Sequence, residues 1–160
     1  MRGFHRVGFA VLLLLLSVAP AWADGTIFIG TNTTPSNRSV RGGALGFGLL
    51  IVGFEFEYSS TTEDVKSGAP SLKVGSGNGL LQTPVAIFGF QPYVTAGGGI
   101  YRERLGSSTQ TSVAPNVGGG VKINLAGPLR LRVDYRAFKL GSGARYSPSH
   151  RLYAGLNLKF

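Results

Sequence analysis

Alternating apolar and polar residues run through the chain after residue 23, and the pattern is clearest in its last ten residues, 151–160 (RLYAGLNLKF). There the even-numbered residues are apolar and the odd-numbered residues are polar, aromatic or small. This two-residue period predicts a strand with one apolar face, because successive side chains of a strand point to opposite sides. No window after residue 23 shows convincing helical periodicity, and the chain's 25 glycines disfavour helices. We therefore predict an all-β chain.

Seven further segments have strand patterns, so we predict eight strands in all. The fourth segment is the weakest, because Pro84 lies within it and cannot donate a hydrogen bond to a neighbouring strand. The predicted strands are Thr26–Thr31, Gly43–Leu50, Val52–Tyr58, Gly79–Ile87, Pro92–Arg102, Val113–Ile123, Leu129–Lys139 and Arg151–Phe160.

The predicted connections alternate between short and long. Short turns join strands near Leu50-Ile51, at Phe88–Gln91 and at Asn124–Pro128, and the other links are longer and polar. Outer-membrane barrels have short periplasmic turns and longer extracellular loops, and their tilted strands need about ten residues each. The pattern therefore predicts an eight-stranded antiparallel up-and-down transmembrane β-barrel. The predicted long loops are Asn32–Arg41, Ser59–Asn78, Glu103–Ser112 and Leu140–His150.

Several segments resemble the eight-stranded outer-membrane β-barrel domain family, the superfamily of the outer-membrane protein A and X barrels. They are Gln91–Val94 with Ala96–Tyr101, Leu129–Arg136 and the terminal Phe160, and the likeness covers nearly all of residues 24–160. The resemblance implies a bacterial outer-membrane location and insertion by the barrel assembly machinery, which reads a C-terminal strand ending in Phe. This family is functionally diverse, so the likeness assigns no activity. The residues expected to form the assembly signal are Tyr153, Leu156, Leu158 and Phe160.

The first 23 residues have the features of a cleavable secretory signal peptide. A basic start precedes the apolar run 7–18, and Ala21-Trp22-Ala23 is a small-x-small cleavage site. The apolar run is shorter than the roughly 20 residues that a membrane-spanning helix needs. We therefore predict a signal peptide, residues 1–23, and one outer-membrane barrel domain, residues 24–160.

Four charged residues in the segment Leu129–Lys139 share one face: Arg130, Arg132, Asp134 and Arg136. A cation that faces hydrocarbon at the middle of a membrane costs about 2–4 kcal/mol, so this face is predicted to point into the barrel. The segment Val52–Tyr58 likewise places two glutamates on its polar face. We predict a lumenal charge network in which the carboxylates pair with the guanidinium groups: Glu55, Glu57 and Asp134 with Arg130, Arg132 and Arg136.

The interior of an eight-stranded barrel is just wide enough for side chains to fill it, so this network predicts a plugged lumen rather than a pore. We also expect Tyr58, Tyr93 and Phe160 in the aromatic girdles at the two membrane surfaces, and we leave Tyr101 and Tyr135 open. The inward phases hold four glycines that leave room for arginines: Gly46, Gly48, Gly118 and Gly120.

Loss of Arg2 and Arg6 with the signal peptide lowers the formal charge from +9 to +7. A positive chain suits the anionic headgroups of lipopolysaccharide or phospholipid. Nucleic acid is not expected, because the cations are scattered along the strands of an exported chain. The chain has no cysteine, so it has neither disulfides nor a thiolate metal site. Glu63 and Asp64 lack the spacing of a calcium loop, and we expect no metal and no cofactor.

Catalysis is disfavoured by the surroundings of His150, the single histidine of residues 24–160. Ser149 is adjacent to it, and adjacent strand residues point to opposite faces, so the two do not form a nucleophile–base pair. The lipid A deacylase barrels resemble this chain in size, but a serine and then an asparagine follow two residues after their histidine. Here Arg151, Leu152 and Tyr153 follow instead.

These observations predict a monomeric, non-enzymatic outer-membrane barrel with a charged, plugged lumen and a structural or surface-interaction role. The main alternative is a soluble periplasmic barrel that binds a small apolar ligand at its centre. That alternative requires an apolar interior and a polar exterior, the inverse of the predicted placement. A barrel lipid A deacylase is a third possibility.

Overall fold

We analysed a computed structural model, which describes residues 21–160. Most of the predicted signal peptide lies outside the described residues, and the boundary after Ala23 stays a prediction. The described part of the chain is all-β, and none of its residues form a helix long and apolar enough to cross a membrane. Its strands are β1 (Ala21–Asn32), β2 (Arg38–Leu49), β3 (Val52–Thr61), β4 (Ser71–Gln82), β5 (Phe90–Leu105), β6 (Ser108–Val113), β7 (Asn116–Ala126), β8 (Leu129–Phe138) and β9 (Ser149–Lys159).

Eight of these strands form a closed antiparallel barrel in the order β1-β2-β3-β4-β5-β7-β8-β9, with β9 paired back to β1. The predicted eight-stranded up-and-down barrel is therefore confirmed. The extra strand, β6, pairs with the end of β5 as a hairpin that extends beyond the ring. Closure leaves the barrel with no unpaired edge, which a sheet in lipid requires.

The sixth predicted strand, Val113–Ile123, is interrupted between β6 and β7 at Ala114-Pro115. Proline has no backbone N–H and cannot continue a ladder of hydrogen bonds. The carbonyl of Pro115 still accepts a hydrogen bond from the Lys139 N–H at 2.9 Å, just beyond the end of β8. Backbone pairing with the β8 side of the barrel therefore continues past the proline.

The prediction Gly79–Ile87 for the fourth strand is wrong, because β4 begins eight residues earlier, at Ser71, and ends at Gln82. Its outward positions include Gly75, Gly77 and Gly79, so the usual alternation of apolar and polar side chains is absent. The turn to β5 therefore occupies residues 83–89 instead of Phe88–Gln91. Three of the predicted long loops are also shorter than expected, because the strands extend beyond the apolar positions that predicted them.

The distribution of side chains is the inverse of a water-soluble protein. Large apolar side chains cover the outside of the barrel, and most of the buried side chains of the interior are polar or charged. Such an exterior is stable only in hydrocarbon. The soluble-barrel alternative, which requires the opposite arrangement, is therefore contradicted. Outward residues that are at least half exposed include Ile27, Ile29, Leu45, Phe54, Phe56, Val94, Ile100 and Val117.

Candidate functional site

The centre of the lumen is filled by Arg132 and Arg136, both completely buried. The guanidinium of Arg132 pairs with Glu55 and lies 3.1 Å from Asp134. The guanidinium of Arg136 lies 3.1 Å from Glu55 and Asp134 and 3.2 Å from Glu57. Two cations and three carboxylates therefore form one continuous group of ion pairs inside the barrel.

The backbone explains why these residues meet. Glu55 and Glu57 alternate on the inward face of β3, and Arg132, Asp134 and Arg136 alternate on the inward face of β8. In the ring β3 and β8 lie opposite each other, with three strands between them in either direction. The long arginine side chains cross the lumen, and their ion pairs join strands that share no backbone hydrogen bonds.

Arg130 does not join this central group, contrary to the predicted network. Its guanidinium lies 3.1 Å from Asp24, which also accepts a hydrogen bond from Lys122 at 2.7 Å. Arg130 also donates to Asn157 at 2.8 Å and Gln91 at 3.0 Å. Arg130 lies two positions nearer the turn end than Arg132, so it meets the side chains of that end instead. Sequence reasoning missed Asp24, because it lies beside the predicted cleavage site and outside the first predicted strand.

Three further inward residues belong to the lumenal group and were not predicted there: Arg151, Tyr93 and Tyr153. Arg151 donates to Glu57 at 2.6 Å. The Tyr93 hydroxyl accepts a hydrogen bond from Arg132 at 2.7 Å and donates to Asp134. Tyr93 is 4% exposed, so its expected place in an outer aromatic girdle is wrong. The Arg132 guanidinium lies 4.9 Å from the centre of the Tyr93 ring and 5.7 Å from that of Tyr153, at cation–π distance.

Glycine provides the space that these side chains occupy. A Cβ on Gly120 would lie 2.6 Å from the Tyr93 hydroxyl, and one on Gly118 would lie 2.9 Å from Cγ of Arg136. Each Cβ would also lie 2.2 Å from a backbone carbonyl oxygen of β8, closer than a real Cβ approaches other atoms, so both positions fit only glycine. The expectation that these inward glycines leave room for long side chains is consistent with both contacts.

The two ends of the lumen differ. Towards the loops the interior is closed by a cluster of apolar side chains rather than by charges, which the sequence did not predict. Towards the turns a cavity of about 230 Å³ opens among Asp24, Gln91, Lys122 and Arg130. Ion pairs therefore occupy the centre of the lumen, and the part towards the loops holds the apolar cluster Leu72, Val74, Tyr101, Ala114, Phe138 and Leu140.

His150 has no catalytic partner among the described residues. Its Nδ1 lies 2.7 Å from the hydroxyl of Tyr135 on the outer surface. Ser149 points into the barrel, where its hydroxyl donates to Asn32 at 3.3 Å, and the Ser147 hydroxyl donates to the carbonyl of Leu140 at 3.2 Å. Neither serine hydroxyl contacts the imidazole, so this surface shows no nucleophile–base pair.

The exposed charges concentrate at one end. The most exposed ionic side chains in residues 21–160 are all cations, and all of these lie at the loop end of the barrel. The turn end instead exposes apolar residues, among them Ile51, Val85, Ile87 and Phe88. The seven exposed cations are Arg41, Lys66, Lys73, Arg102, Arg104, Lys139 and Arg145.

The loop between β3 and β4 carries the carboxylates of this end. The Asp64 carboxylate accepts a hydrogen bond from the Ser67 hydroxyl at 2.7 Å and another from the Lys66 backbone N–H at 3.1 Å. These bonds, first the one from Ser67, hold the pKa of Asp64 below its usual value. Glu63 accepts a hydrogen bond from the Gly106 N–H at 2.7 Å and lies 3.9 Å from Arg104, which ties this loop to the β5–β6 hairpin.

The four residues of the predicted assembly signal divide between the two faces of β9. Leu156, Leu158 and Phe160 point outwards, with exposed fractions of 48%, 48% and 71%. Tyr153 points inwards and is 1% exposed. Phe160 exchanges backbone hydrogen bonds with Ala23 at 2.9 and 3.0 Å, and so closes the barrel at its turn end. The role of these residues in assembly stays a prediction.

Fold and surface together define the class: the protein is a transmembrane β-barrel with the eight-stranded fold of the bacterial outer-membrane barrels. Its sequence matches no protein-family model and no curated protein. Similarity to known proteins is therefore visible in the fold rather than in the sequence.

Among solved structures, the chain is similar to the N-terminal β-barrel domain of Pseudomonas aeruginosa OprF, with TM-score 0.68 and 17% identity over 87% of this chain and 97% of that one. It is also similar to Neisserial surface protein A, with a TM-score of 0.66 and 20% identity; the match covers 88% of this chain and 96% of that one. The match to the Yersinia pestis outer-membrane protein Ail has a TM-score of 0.53 and 15% identity, and it covers 86% of this chain and 99% of that one. These likenesses establish the eight-stranded outer-membrane barrel fold.

Proposed function

We propose that the protein is a closed, non-conducting and non-enzymatic outer-membrane barrel that acts through its loop end at the cell surface. The observation that supports this proposal is the group of buried ion pairs that joins opposite strands across the centre of the lumen. A membrane barrel that neither conducts nor catalyses has only its exposed ends and its lipid-facing surface available for interactions.

The polarity of the exposed charges supports a surface role. Seven exposed cations and two partly exposed carboxylates, Glu63 and Asp64, lie at the loop end, which in this fold faces the cell exterior. This positive surface raises the local concentration of anionic partners. The proposed partners are therefore the anionic lipids and lipopolysaccharide of the outer leaflet. We further propose that the chain is a monomer and is inserted by the barrel assembly machinery.

An enzymatic role is the competing hypothesis, and the environment of His150 argues against it. The imidazole contacts a tyrosine hydroxyl rather than a serine, and the nearest serines hydrogen-bond elsewhere. We expect the purified barrel to release no fatty acid from lipid A or phospholipid, and we expect the His150→Ala variant to be indistinguishable from it. Fatty-acid release that His150→Ala abolishes would overturn the non-enzymatic proposal.

Single-channel recording tests the closed lumen. We expect the reconstituted protein to give no stable current across a planar bilayer. The positive control is the Glu55→Ala/Arg132→Ala variant, which removes two side chains that meet across the lumen. We expect it to show more frequent or larger openings. Large, stable currents from the unsubstituted protein would contradict the plug.

Cell fractionation tests the location. We expect the protein in the outer-membrane pellet, and we expect the unboiled sample to migrate differently from the boiled one on a gel because a closed barrel resists detergent unfolding. Recovery of the protein from the soluble periplasm would overturn the proposed outer-membrane location, whatever the result of the single-channel recordings.

A further inference from the structure

Three of the exposed cations form a row on the lipid-facing surface. Arg41 on β2 pairs in register with Ser60 on β3, Ser60 pairs with Lys73 on β4, and Lys73 pairs with Arg102 on β5. All three cations point outwards and are exposed. Neighbouring strands are about 4.8 Å apart, so the row crosses four strands within about 15 Å.

The cations of this row have no carboxylate partner. The ion pairs found in residues 21–160 include none with Arg41, Lys73 or Arg102, and the nearby Glu63 pairs with Arg104. Lys73 and Arg102 are direct cross-strand partners, and like charges placed directly opposite each other repel. An anion bound between them would relieve this repulsion.

The row lies at the boundary of the apolar surface. The next outward residues towards the turns are Gly43, Tyr58, Gly75 and Ile100, which lead into the apolar band. A tyrosine at this level is typical of the membrane interface. The cations therefore lie at the height of lipid headgroups in the leaflet that the loop end enters.

Two open grooves run from this level along the apolar band. One has Arg41, Lys73 and Tyr58 in its lining and continues across β1 and β9, past Ile27 and Leu156. The other passes over glycines 75 and 77 and along Phe56 and Ile100. Because β4 has glycine at these outward positions, its outer surface is lower than that of β3, whose aromatic side chains project beside it. An acyl chain fits into this depression.

We propose that the outward face from β9 through β1 to β5 binds one molecule of a lipid A-type glycolipid, with its phosphates on Arg41, Lys73 and Arg102 and its acyl chains in the two grooves. A row of three unpaired cations matches a headgroup that carries two phosphates. A phospholipid offers one phosphate and two chains, and it leaves part of the row unpaired.

This inference rests on the proposed function, because it requires the loop end to enter the outer leaflet. The lipid A site and the proposed function can each fail without the other. A barrel that pellets with the outer membrane and does not conduct, yet binds no lipid A, would overturn the site and leave the proposed function intact.

The test measures lipid binding to the folded, detergent-solubilised barrel by native mass spectrometry. The probes are bisphosphorylated lipid A, the same lipid without phosphates, and phosphatidylglycerol. The principal variant is Lys73→Gln/Arg102→Gln. Its matched control is Lys66→Gln/Lys139→Gln, which removes the same charge from two exposed cations outside the row. A gel-mobility assay confirms that each variant is folded.

We expect the unsubstituted barrel to prefer bisphosphorylated lipid A to both other probes. The principal variant is expected to bind it about tenfold or more weakly, since each cation near an anionic membrane surface contributes substantially to attraction. The control is expected to bind within about twofold of the unsubstituted protein, because it leaves the row intact. Equal losses in both variants, or equal binding of phosphatidylglycerol, would overturn the site.

A third variant tests the grooves. Gly75→Leu adds a side chain where a Cβ meets no atom within 4 Å, so the barrel itself is not strained. The added side chain occupies the groove floor, and we expect weaker binding of lipid A with unchanged thermal stability of the barrel. Unchanged lipid A binding would overturn the placement of the acyl chains.

Discussion

Arg132 and Arg136 are the largest fully buried side chains of the described chain. A buried cation is tolerated only when its charge and its N–H groups are satisfied. Both guanidinium groups meet this condition through carboxylates supplied by two opposite strands. Alternation along the strands predicted that these arginines point inwards towards Glu55, Glu57 and Asp134, but not which carboxylate each arginine meets. Arg130 pairs with Asp24 because its height in the barrel, which the sequence does not reveal, decides which carboxylate it meets.

Replacement of Arg132 by methionine tests this pairing. The Arg132→Met barrel is expected to be less stable by about 3–5 kcal/mol, because the buried carboxylates of Glu55 and Asp134 then share a single cation, Arg136. Equilibrium urea unfolding in lipid vesicles measures the free energy of unfolding. Lys139→Met, which removes an exposed cation with no ion pair in residues 21–160, is the control and is expected to stay within about 0.5 kcal/mol.

The double variant Glu55→Gln/Arg132→Met completes a thermodynamic cycle. Since Arg132 and Glu55 are in contact, we expect a coupling of about 0.5–3 kcal/mol between the two substitutions. Purely additive effects would show that the ion pair across the lumen contributes nothing to stability.

At the scale of strands, alternation predicted most of the barrel and failed where one face lacks large side chains. β4 was misplaced because glycines occupy its outward positions, so only the inward residues Leu72, Val74 and Leu80 carry a signal. The sixth predicted strand was divided because a single proline interrupts a ladder without changing the apolar pattern. In both cases the neighbouring strands provide backbone hydrogen-bond partners on both sides. These hydrogen bonds determine where the strand begins and ends more than its own side chains do.

Glycine at inward positions of β7 is expected to be indispensable for packing. Gly120→Ala places a methyl group against the Tyr93 hydroxyl and the carbonyl of Val133, and such overpacking costs about 1–3 kcal/mol. Gly98→Ala is the matched control, since its Cβ would lie outside the barrel, 3.8 Å from Pro115. We expect the control to be neutral or slightly stabilising in urea unfolding. Equal costs at both positions would indicate that the loss of glycine itself, rather than the crowded lumen, causes the effect.

At the scale of the whole molecule, the barrel is polarised along its axis. Exposed cations occupy the loop end, apolar turns occupy the other end, and the interior changes from charged at its centre to apolar beneath the loops. The predicted charge network therefore occupies only part of the lumen, and an apolar cluster occupies the part beneath the loops. The apolar cluster beneath the loops includes residues from β4, β5 and β8, three strands that the sequence does not bring together.

The C-terminal strand provides a prediction for assembly of the complete barrel. Phe160→Ser is expected to reduce the amount of folded protein in the outer membrane of cells, because the assembly machinery is proposed to read this terminal aromatic. Spontaneous refolding of the purified chain into detergent is expected to change little. The control is Phe90→Ser, a second exposed aromatic at the start of β5 and at the same end of the barrel. Equal reductions in cells for both variants would argue against a specific signal.

The sequence by itself determined that the chain is all-β, that one face of each clear strand is apolar, and that the arginines of Leu129–Lys139 point away from lipid. These are local consequences of a two-residue period and of the cost of charge in hydrocarbon. Only the tertiary structure decided which carboxylate each arginine meets, that Tyr93 points inwards, and that Arg41, Lys73 and Arg102 align on one outer surface. Those facts depend on strand register and barrel closure, which bring together residues far apart in the chain.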